Sequence, residues 1–293
     1  MTTITPDALT PDSPDSTPIP VASPTSARMG VTWPRVIRSE WIKFWSVRST
    51  VWTLLSAALI VPLVGMLISA VITGDVSGTG DGRDPASEFG GASSLDSSLG
   101  AVGFAVLIVG VLGVLVGSRE YATGQIRTTL QAVPHRVMAL GAKAAVLASV
   151  VFGTMLVAVL AAFFAGQAIL ADGGSASVSI TDAGSLQGVL GAAFYIAGVA
   201  LIGLALGFLL RSTAGAIGTL VAGLMIVPGI LGLVLPDSWS GALDYLPSAA
   251  GDAMRGVSTY TGELGAWAGL AVFIAWVVAL MVGAGVALKR RDA

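Results

Sequence analysis

Six stretches of this chain are apolar without interruption over lengths that can cross a lipid bilayer. They lie near 51–72, 99–117, 144–170, 188–210, 214–235 and 266–288. None of the six contains Asp, Glu, Lys or Arg within these bounds. Because a helix needs about 20 apolar residues to cross about 30 Å of hydrocarbon, each stretch is long enough to span a membrane. We therefore predict an all-α, polytopic integral membrane protein with about six transmembrane helices.

The composition excludes most other protein classes. Charged residues make up 11% of the 293 residues, whereas a soluble domain carries about 25%. The net charge of −2 gives no reason to expect a nucleic-acid partner. The chain has no cysteine, and its one histidine is His135. Disulfides and cysteine- or histidine-based metal sites are therefore not expected, and we predict no metal site.

Two regions precede the first span. Residues 1–32 are rich in Pro, Ser, Thr and Asp, a composition that cannot bury enough apolar surface to fold, so we predict a disordered cytoplasmic tail. The predicted membrane domain then covers 33–293. It opens at 34–49, where apolar side chains recur at helical spacing at Ile37, Trp41, Phe44 and Trp45. Polar residues lie on the opposite face at Arg35, Ser39, Lys43 and Ser46.

This pattern is typical of a helix that lies in the membrane interface. We predict an interfacial helix over 34–49, whose surface contacts come from Arg38, Trp41, Lys43, Trp45 and Arg48. The alternative is that the segment is only the positively charged flank of the first span. Both interpretations place the segment on the cytoplasmic side.

The basic residues predict the orientation. Thirteen of the 15 Lys and Arg residues fall on the side of the N-terminal segment, the 118–143 loop, the 211–213 turn and the C-terminus. The other two, Arg83 and Arg255, fall in loops on the opposite side. By the positive-inside rule, both termini are cytoplasmic and the protein is a multi-pass protein of the cytoplasmic membrane.

No motif for catalysis or nucleotide binding is present. The sequence has neither His-Glu-x-x-His nor Gly-x-Ser-x-Gly, which mark zinc proteases and serine hydrolases. The Walker motif is also missing, because Gly141-Ala142-Lys143 lacks the upstream glycine and the following hydroxyl. We expect no enzyme activity and no bound cofactor in this chain, so ATP-driven transport would require a separate ATPase.

The long loop between the second and third spans is the most informative segment. Glu120, Gly124 and Arg127 stand at i, i+4 and i+7, on one face of a helix that would stop before Pro134. A short helix outside the bilayer, joined to two spans, is suited to transmit motion from a soluble partner. The alternative is that the basic residues of this loop only enforce the orientation: Arg119, Arg127, Arg136 and Lys143.

Three parts of the chain together resemble the permease subunit of type-2 ATP-binding-cassette transporters, in the form found in high-GC Gram-positive bacteria. The first is the lead-in RSEWIKFWSVRST at 38–50. The second is the loop with Glu120, Tyr121, Gly124, Arg127, Pro134 and Arg136. The third is LRSTA at 210–214, followed by YLPS at 245–248.

The resemblance implies an arrangement in which a second permease copy or a related chain forms a dimer, and two ATPase subunits bind ATP and magnesium. The loop that begins at Glu120 would be the coupling helix that docks on the ATPase. The lead-in would be a connecting helix, and the 236–265 loop would fold back as short helices.

The implied function is export, or efflux, of a hydrophobic or amphipathic substrate such as a drug, lipid or peptide. An ion-coupled secondary transporter, a membrane-embedded enzyme and a membrane anchor remain the alternatives.

A few residues inside the spans are open to two interpretations. Gly113 with Gly117, and Gly203 with Gly207, form Gly-x-x-x-Gly pairs that allow close helix packing, within one subunit or at a dimer contact. Gln167 and Tyr195 are candidate substrate-path residues, and the alternative for each is an interhelical hydrogen bond. Pro62 and Pro228 are expected to kink their helices.

Overall fold

The computed structural model describes residues 32–74, 93–122, 136–257 and 264–290. Within these ranges all regular secondary structure is helical, which confirms the all-α class. Apart from Thr32, the predicted tail lies outside the described residues. The helices are α1 (Trp33–Ser46), α2 (Arg48–Ile72), α3 (Ser94–Leu99), α4 (Val102–Ala122), α5 (Arg136–Asp172), α6 (Ser185–Leu210), α7 (Thr213–Val221), α8 (Val227–Val234), α9 (Ser240–Leu243), α10 (Pro247–Met254) and α11 (Ala266–Arg290).

Six helical segments in the described ranges are long and apolar enough to cross a membrane, as the sequence predicted. They are α2, α3 with α4, α5, α6, α7 with α8, and α11. The largest difference from the predicted bounds is in α5, which begins at Arg136 and not near 144. Hydropathy marks where a helix enters hydrocarbon, whereas a helix can continue into polar surroundings when its charged residues find partners.

The predicted interfacial helix is shorter than 34–49. It ends at Ser46, because Val47 is extended with φ −94° and ψ 99°. Arg48, which we expected in that helix, is instead the first residue of α2. The bend at Val47 turns α1 away from the line of α2, so α1 packs against α5 as well as α2.

The centre of the bundle is α6, which packs against α4, α5 and α11. The Gly-x-x-x-Gly pairs form the α4–α6 contact. A Cβ atom at Gly113 would overlap the carbonyl oxygen of Ala200, and one at Gly203 would overlap that of Gly110. These glycines let the two backbones touch. Their use for packing within one subunit, one of the two interpretations, is therefore confirmed.

The two prolines behave differently. The fifth span is interrupted by a π-helical turn, Ala222–Ile226, directly before Pro228. Proline lacks the N–H that the fourth preceding carbonyl requires, and a π turn is one way for a helix to accommodate the lost bond. Pro62, by contrast, lies within α2, which continues through it as an α-helix.

The chain between the last two spans forms short helices over its described part. A 3-10 turn at Asp237–Trp239 leads to α9, and α10 then packs against α6 and α11. Gly251 of α10 lies on the ring of Tyr195, and Gly269 of α11 lies against the carbonyl oxygen of Ala250. The segment thus folds back between two of the long helices.

Candidate functional site

One end of the bundle gathers residues from distant parts of the chain. We call it the basic end. It contains α1, the last turn of α4, the first turns of α5, and the turn between α6 and α7. The end at which α6 and α11 begin is called the opposite end.

Four charged residues meet at the basic end, and we call them the charge cluster: Glu40, Lys43, Glu120 and Lys143. The Nζ atom of Lys143 lies 2.7 Å from Oε2 of Glu40 and 3.0 Å from Oε1 of Glu120. The Nζ atom of Lys43 lies 2.7 Å from Oε1 of Glu40 and 3.7 Å from Oε1 of Glu120. Each carboxylate therefore faces both ammonium groups, and the four charges sum to zero.

Three members of the charge cluster are buried. The side chains of Glu40, Glu120 and Lys143 are 4%, 9% and 9% exposed, whereas that of Lys43 is 48% exposed. Removing a charge from water costs several kcal/mol unless a partner of opposite sign is held against it. The burial is therefore possible only because α1, α4 and α5 bring both signs together.

The amphipathic pattern of α1 explains how Glu40 enters the bundle. The inward face of α1 is formed by Val36, Glu40 and Phe44, which are spaced four residues apart. Ile37, Trp41 and Trp45 lie on the exposed face. Phe44, which the helical spacing groups with Ile37, Trp41 and Trp45, differs from them in burial, because its ring is part of the protein core. One carboxylate on an otherwise apolar inward face was the sequence signal for the cluster.

The charges around Glu40 decide its ionisation. Burial by itself raises the pKa of the Glu40 carboxyl. The charge and hydrogen bond of Lys143, with further help from Lys43, outweigh this effect and place the pKa below its ordinary value. Glu40 is thus an anion at neutral pH.

A second set of contacts joins the last turn of α4 to the α6–α7 turn. The guanidinium carbon of Arg211 lies 5.0 Å from the centre of the Tyr121 ring, a cation–π distance. The Tyr121 ring also packs edge-on against Phe208, with centroids 5.7 Å apart. The hydroxyls of Ser118 and Thr213 lie 2.8 Å apart. Arg211 ends α6 in the left-handed conformation, with φ 52°.

The structure describes only part of the predicted coupling loop. Glu120 and Tyr121 lie in α4, while Gly124, Arg127 and Pro134 lie outside the described residues. Arg136 begins α5, and its side chain is likewise outside them. Both flanks of the loop are therefore visible, and both carry members of the charge cluster. Sequence reasoning overlooked Glu40 and Lys143 as site residues.

The other predicted residues of α1 differ in their surroundings. Arg38, Trp41 and Trp45 lie on the outer surface of α1, whereas Lys43 reaches the charge cluster. The Trp41 and Trp45 rings lie against each other, with centroids 6.0 Å apart. Exposed tryptophans and a nearby cation are the side chains that a membrane interface favours.

The two candidate substrate-path residues lie in helix–helix contacts. The side-chain amide of Gln167 donates to the Ser94 carbonyl at 2.8 Å and to the Ser98 hydroxyl at 3.1 Å. Its oxygen accepts from the Val178 amide at 2.8 Å. The two bonds to Ser94 and Ser98 join α5 to α3, and they are the interhelical bonds that we considered as the alternative to a substrate contact.

Tyr195 lies in the contact between α6, α10 and α11. Its ring packs edge-on against Phe273, with centroids 5.2 Å apart, and is covered by Gly251. Asp252 and Arg255, which form a salt bridge with each other, are its nearest charged neighbours. This pair was not predicted from the sequence, because both residues fall in a loop outside the apolar runs.

Within the described ranges, no three His, Asp or Glu residues converge as metal ligands would. Comparison with known proteins adds no relative: no family model matches the chain, and no curated protein matches it.

Proposed function

We propose that this chain is the transmembrane permease subunit of an ATP-driven exporter, with a separate ATPase docked at the basic end. The observation that carries the proposal is the charge cluster. The 123–135 segment joins the end of α4 to the start of α5. The salt bridges of Lys143 connect these two helices to each other and to α1. A partner that moves this segment would move three helices together.

The contacts of Tyr121 connect these three helices to the fifth span. Its cation–π contact with Arg211, together with the Ser118–Thr213 hydrogen bond, joins the end of α4 to the start of α7. In the proposed cycle, ATP binding in the partner pushes the loop, and the displacement reaches the span that carries the π turn. The ATP and magnesium belong to the partner, and a second permease copy or a related chain completes the substrate path.

The proposal includes an orientation and a class of substrate. The basic end faces the cytoplasm, in line with the sequence, in which thirteen of the 15 Lys and Arg residues fall on one predicted side of the membrane, and the chain resides in the cytoplasmic membrane. The six spans carry almost no charge, which suits a hydrophobic or amphipathic substrate such as a drug, lipid or peptide.

The absence of cysteine allows a clean test. A single cysteine in place of Arg127, in the loop, should form a crosslink to an ATP-binding-cassette ATPase in native membranes. A single cysteine in place of Ser177, an exposed residue at the opposite end, is the matched control and should form none. Glu120 is less suitable for this test, because its substitution also breaks the charge cluster.

The same material gives a second readout. The chain purified from its native membrane in mild detergent should retain the ATPase in a fixed stoichiometry. Purification without an ATPase, together with equal crosslinking from the two cysteine positions, would overturn the proposal.

One observation favours an ion-coupled carrier as the second candidate. Asp252 and Arg255 lie beside Tyr195 between α6 and α11, and charged residues within a membrane bundle often mark ion pathways. For such a carrier, substrate uptake into vesicles would follow a proton or sodium gradient and would continue without ATP. For the proposed exporter, uptake into inverted vesicles would stop when ATP is withheld.

A further inference from the structure

The basic end contains a cavity that the proposed coupling role does not use. Its volume is about 640 Å³, within the range of small-molecule binding sites. It lies between the end of α1, the first turns of α2, the second half of α4 and the start of α7. We propose that this cavity binds the uncharged, hydroxyl-rich head of a membrane lipid, such as the sugar of a glycosyl-diacylglycerol.

The charged groups of the cavity wall are already engaged within the protein. The wall includes the whole charge cluster, in which each carboxylate faces both lysines. Arg119, the other cation of the wall, has an interaction of its own. A charged ligand would have to break an ion pair or give up its water without gaining a partner, and both are costly. The wall therefore selects against an ionic head.

Hydroxyl groups supply the other polar contacts of the wall. Six serine and threonine side chains line the cavity: Ser46, Ser49, Thr50, Thr53, Ser118 and Thr213. Ser46 and Thr53 each donate their hydroxyl proton to the carbonyl four residues earlier, and their oxygens can still accept a hydrogen bond. The hydroxyls of a sugar both donate and accept, so a sugar matches this wall without any charge.

Thr50 marks where the head would bind. The residue is 7% exposed, and its side-chain hydroxyl makes no hydrogen bond to any part of the chain that the structure describes. A buried hydroxyl without a partner is unfavourable unless another molecule bonds to it. Because Thr50 lines the cavity, a ligand inside it can supply the missing bond.

The rest of the wall is apolar and reaches the outer surface of the bundle. Phe44, Leu112 and Val116 line it. Leu115 of α4 and Ile42 of α1 also line it and are 41% and 56% exposed, so the cavity opens between these two helices. Acyl chains can leave through this opening while the head stays inside. A free sugar would match only the hydroxyl-bearing part of the wall.

The level of the cavity relative to a bilayer fits a lipid. Trp41 and Trp45, on the exposed face of α1, are side chains that settle at the headgroup level. Phe44, on the inward face of the same helix, lines the cavity. A lipid head in the cavity would therefore lie at the depth of the other heads, and the lipid reaches the site without leaving its leaflet.

Native mass spectrometry of the full chain tests the proposal. The detergent is a polyoxyethylene ether, because an alkyl glycoside carries the kind of head that the site should bind. Glucosyl-diacylglycerol is compared with phosphatidylglycerol and phosphatidylcholine of the same acyl chains. We expect one tightly held glycolipid per chain and about tenfold weaker binding of both phospholipids, because burying an unpartnered charge costs more than a hydrogen bond returns. Phosphatidylglycerol also carries hydroxyls, so its difference from the glycolipid reports the effect of charge.

Two pairs of variants locate the site. Thr50→Val keeps the shape of the side chain, removes its hydroxyl and should weaken glycolipid binding about fivefold, the effect of one hydrogen bond. Thr219→Val, at an exposed threonine of α7 outside the cavity, is its matched control and should have no effect. Leu115→Trp should narrow the opening and abolish tight binding, whereas Leu63→Trp, on the exposed surface of α2, should preserve it. A thermal unfolding curve for each variant confirms that it is folded.

Equal or tighter binding of phosphatidylglycerol would overturn the proposal, as would glycolipid binding that survives both Thr50→Val and Leu115→Trp. Displacement of the glycolipid by millimolar maltose would indicate a site for a soluble sugar and would contradict the lipid. A dimer that excludes the glycolipid would show that a second copy of the chain covers the cavity, and would likewise overturn it. The proposal requires only that the chain lies in a membrane. Its failure would therefore leave the proposed ATPase partner untouched, and the converse also holds.

Discussion

The Nζ atom of Lys143 lies 2.7 Å from Oε2 of Glu40, although 103 positions separate the two residues in the sequence. Together with the buried side chains of Val36 and Phe44, this bond attaches α1 to the bundle. An interfacial helix held only by its tryptophans would follow the membrane surface, whereas α1 must follow α5. Any movement of the lead-in helix is therefore shared with the third span.

Lys143→Met should be among the most destabilising substitutions at the basic end. It leaves two buried carboxylates with only the half-exposed Lys43 as a partner, and breaking a buried ion pair costs about 3–5 kcal/mol. Lys43→Met is the matched control and should cost about 1 kcal/mol or less, because exposed pairs contribute little. Reversible unfolding in mixed micelles measures both free energies. Equal losses would contradict the buried position of Lys143.

Acid should weaken the attachment of α1. The pKa of Glu40 is lower in the folded protein than its ordinary value of 4.5. Its contribution to stability is therefore complete above pH 4.5 and is lost as the pH falls from there through the folded-state pKa. The free energy of unfolding, measured from pH 7 downward, should decline more steeply in the wild type than in Glu40→Gln. Parallel profiles would show that Glu40 does not carry this dependence.

The α4–α6 contact should not tolerate a single added methyl group. Gly113→Ala places a Cβ atom on the backbone of Ala200, which cannot move aside as a flexible side chain can. We expect a loss of about 1–3 kcal/mol, as for overpacked cores. Gly103→Ala, in the same helix with nothing within 4 Å of the new atom, should be neutral. Thermal unfolding in detergent compares the two, and a similar melting temperature would contradict the close packing.

The predicted orientation can be checked on intact cells. A single cysteine in place of Ser177 should react with a membrane-impermeant maleimide added from outside. A single cysteine in place of Ser26, in the N-terminal segment, should react only after the membrane is permeabilised. The reverse pattern would place the basic end outside the cell, against the positive-inside rule.

The sequence predicted the fold better than the site. Uninterrupted apolar runs are sufficient to locate spans, because a bilayer imposes one length and one polarity on every helix. The glycine spacing likewise indicated close packing at Gly113 and Gly203. The pairing of Lys143 with Glu40 could not be predicted from the sequence, since Glu40 is far away along the chain and the contact depends on the bend at Val47. The same holds for Asp252, whose position beside Tyr195 follows from the way α10 folds back.

The position of α10 also constrains how the protein is made. This helix has eight residues, too few to enter a bilayer as a span, and Asp252 and Arg255 lie at its end. One of its two walls is α11, which the ribosome synthesises later. During translation the contact of α10 with α6 can therefore form first, whereas its contact with α11 can form only after α11 has been made. The last helix of the chain thus completes the burial of a segment made before it.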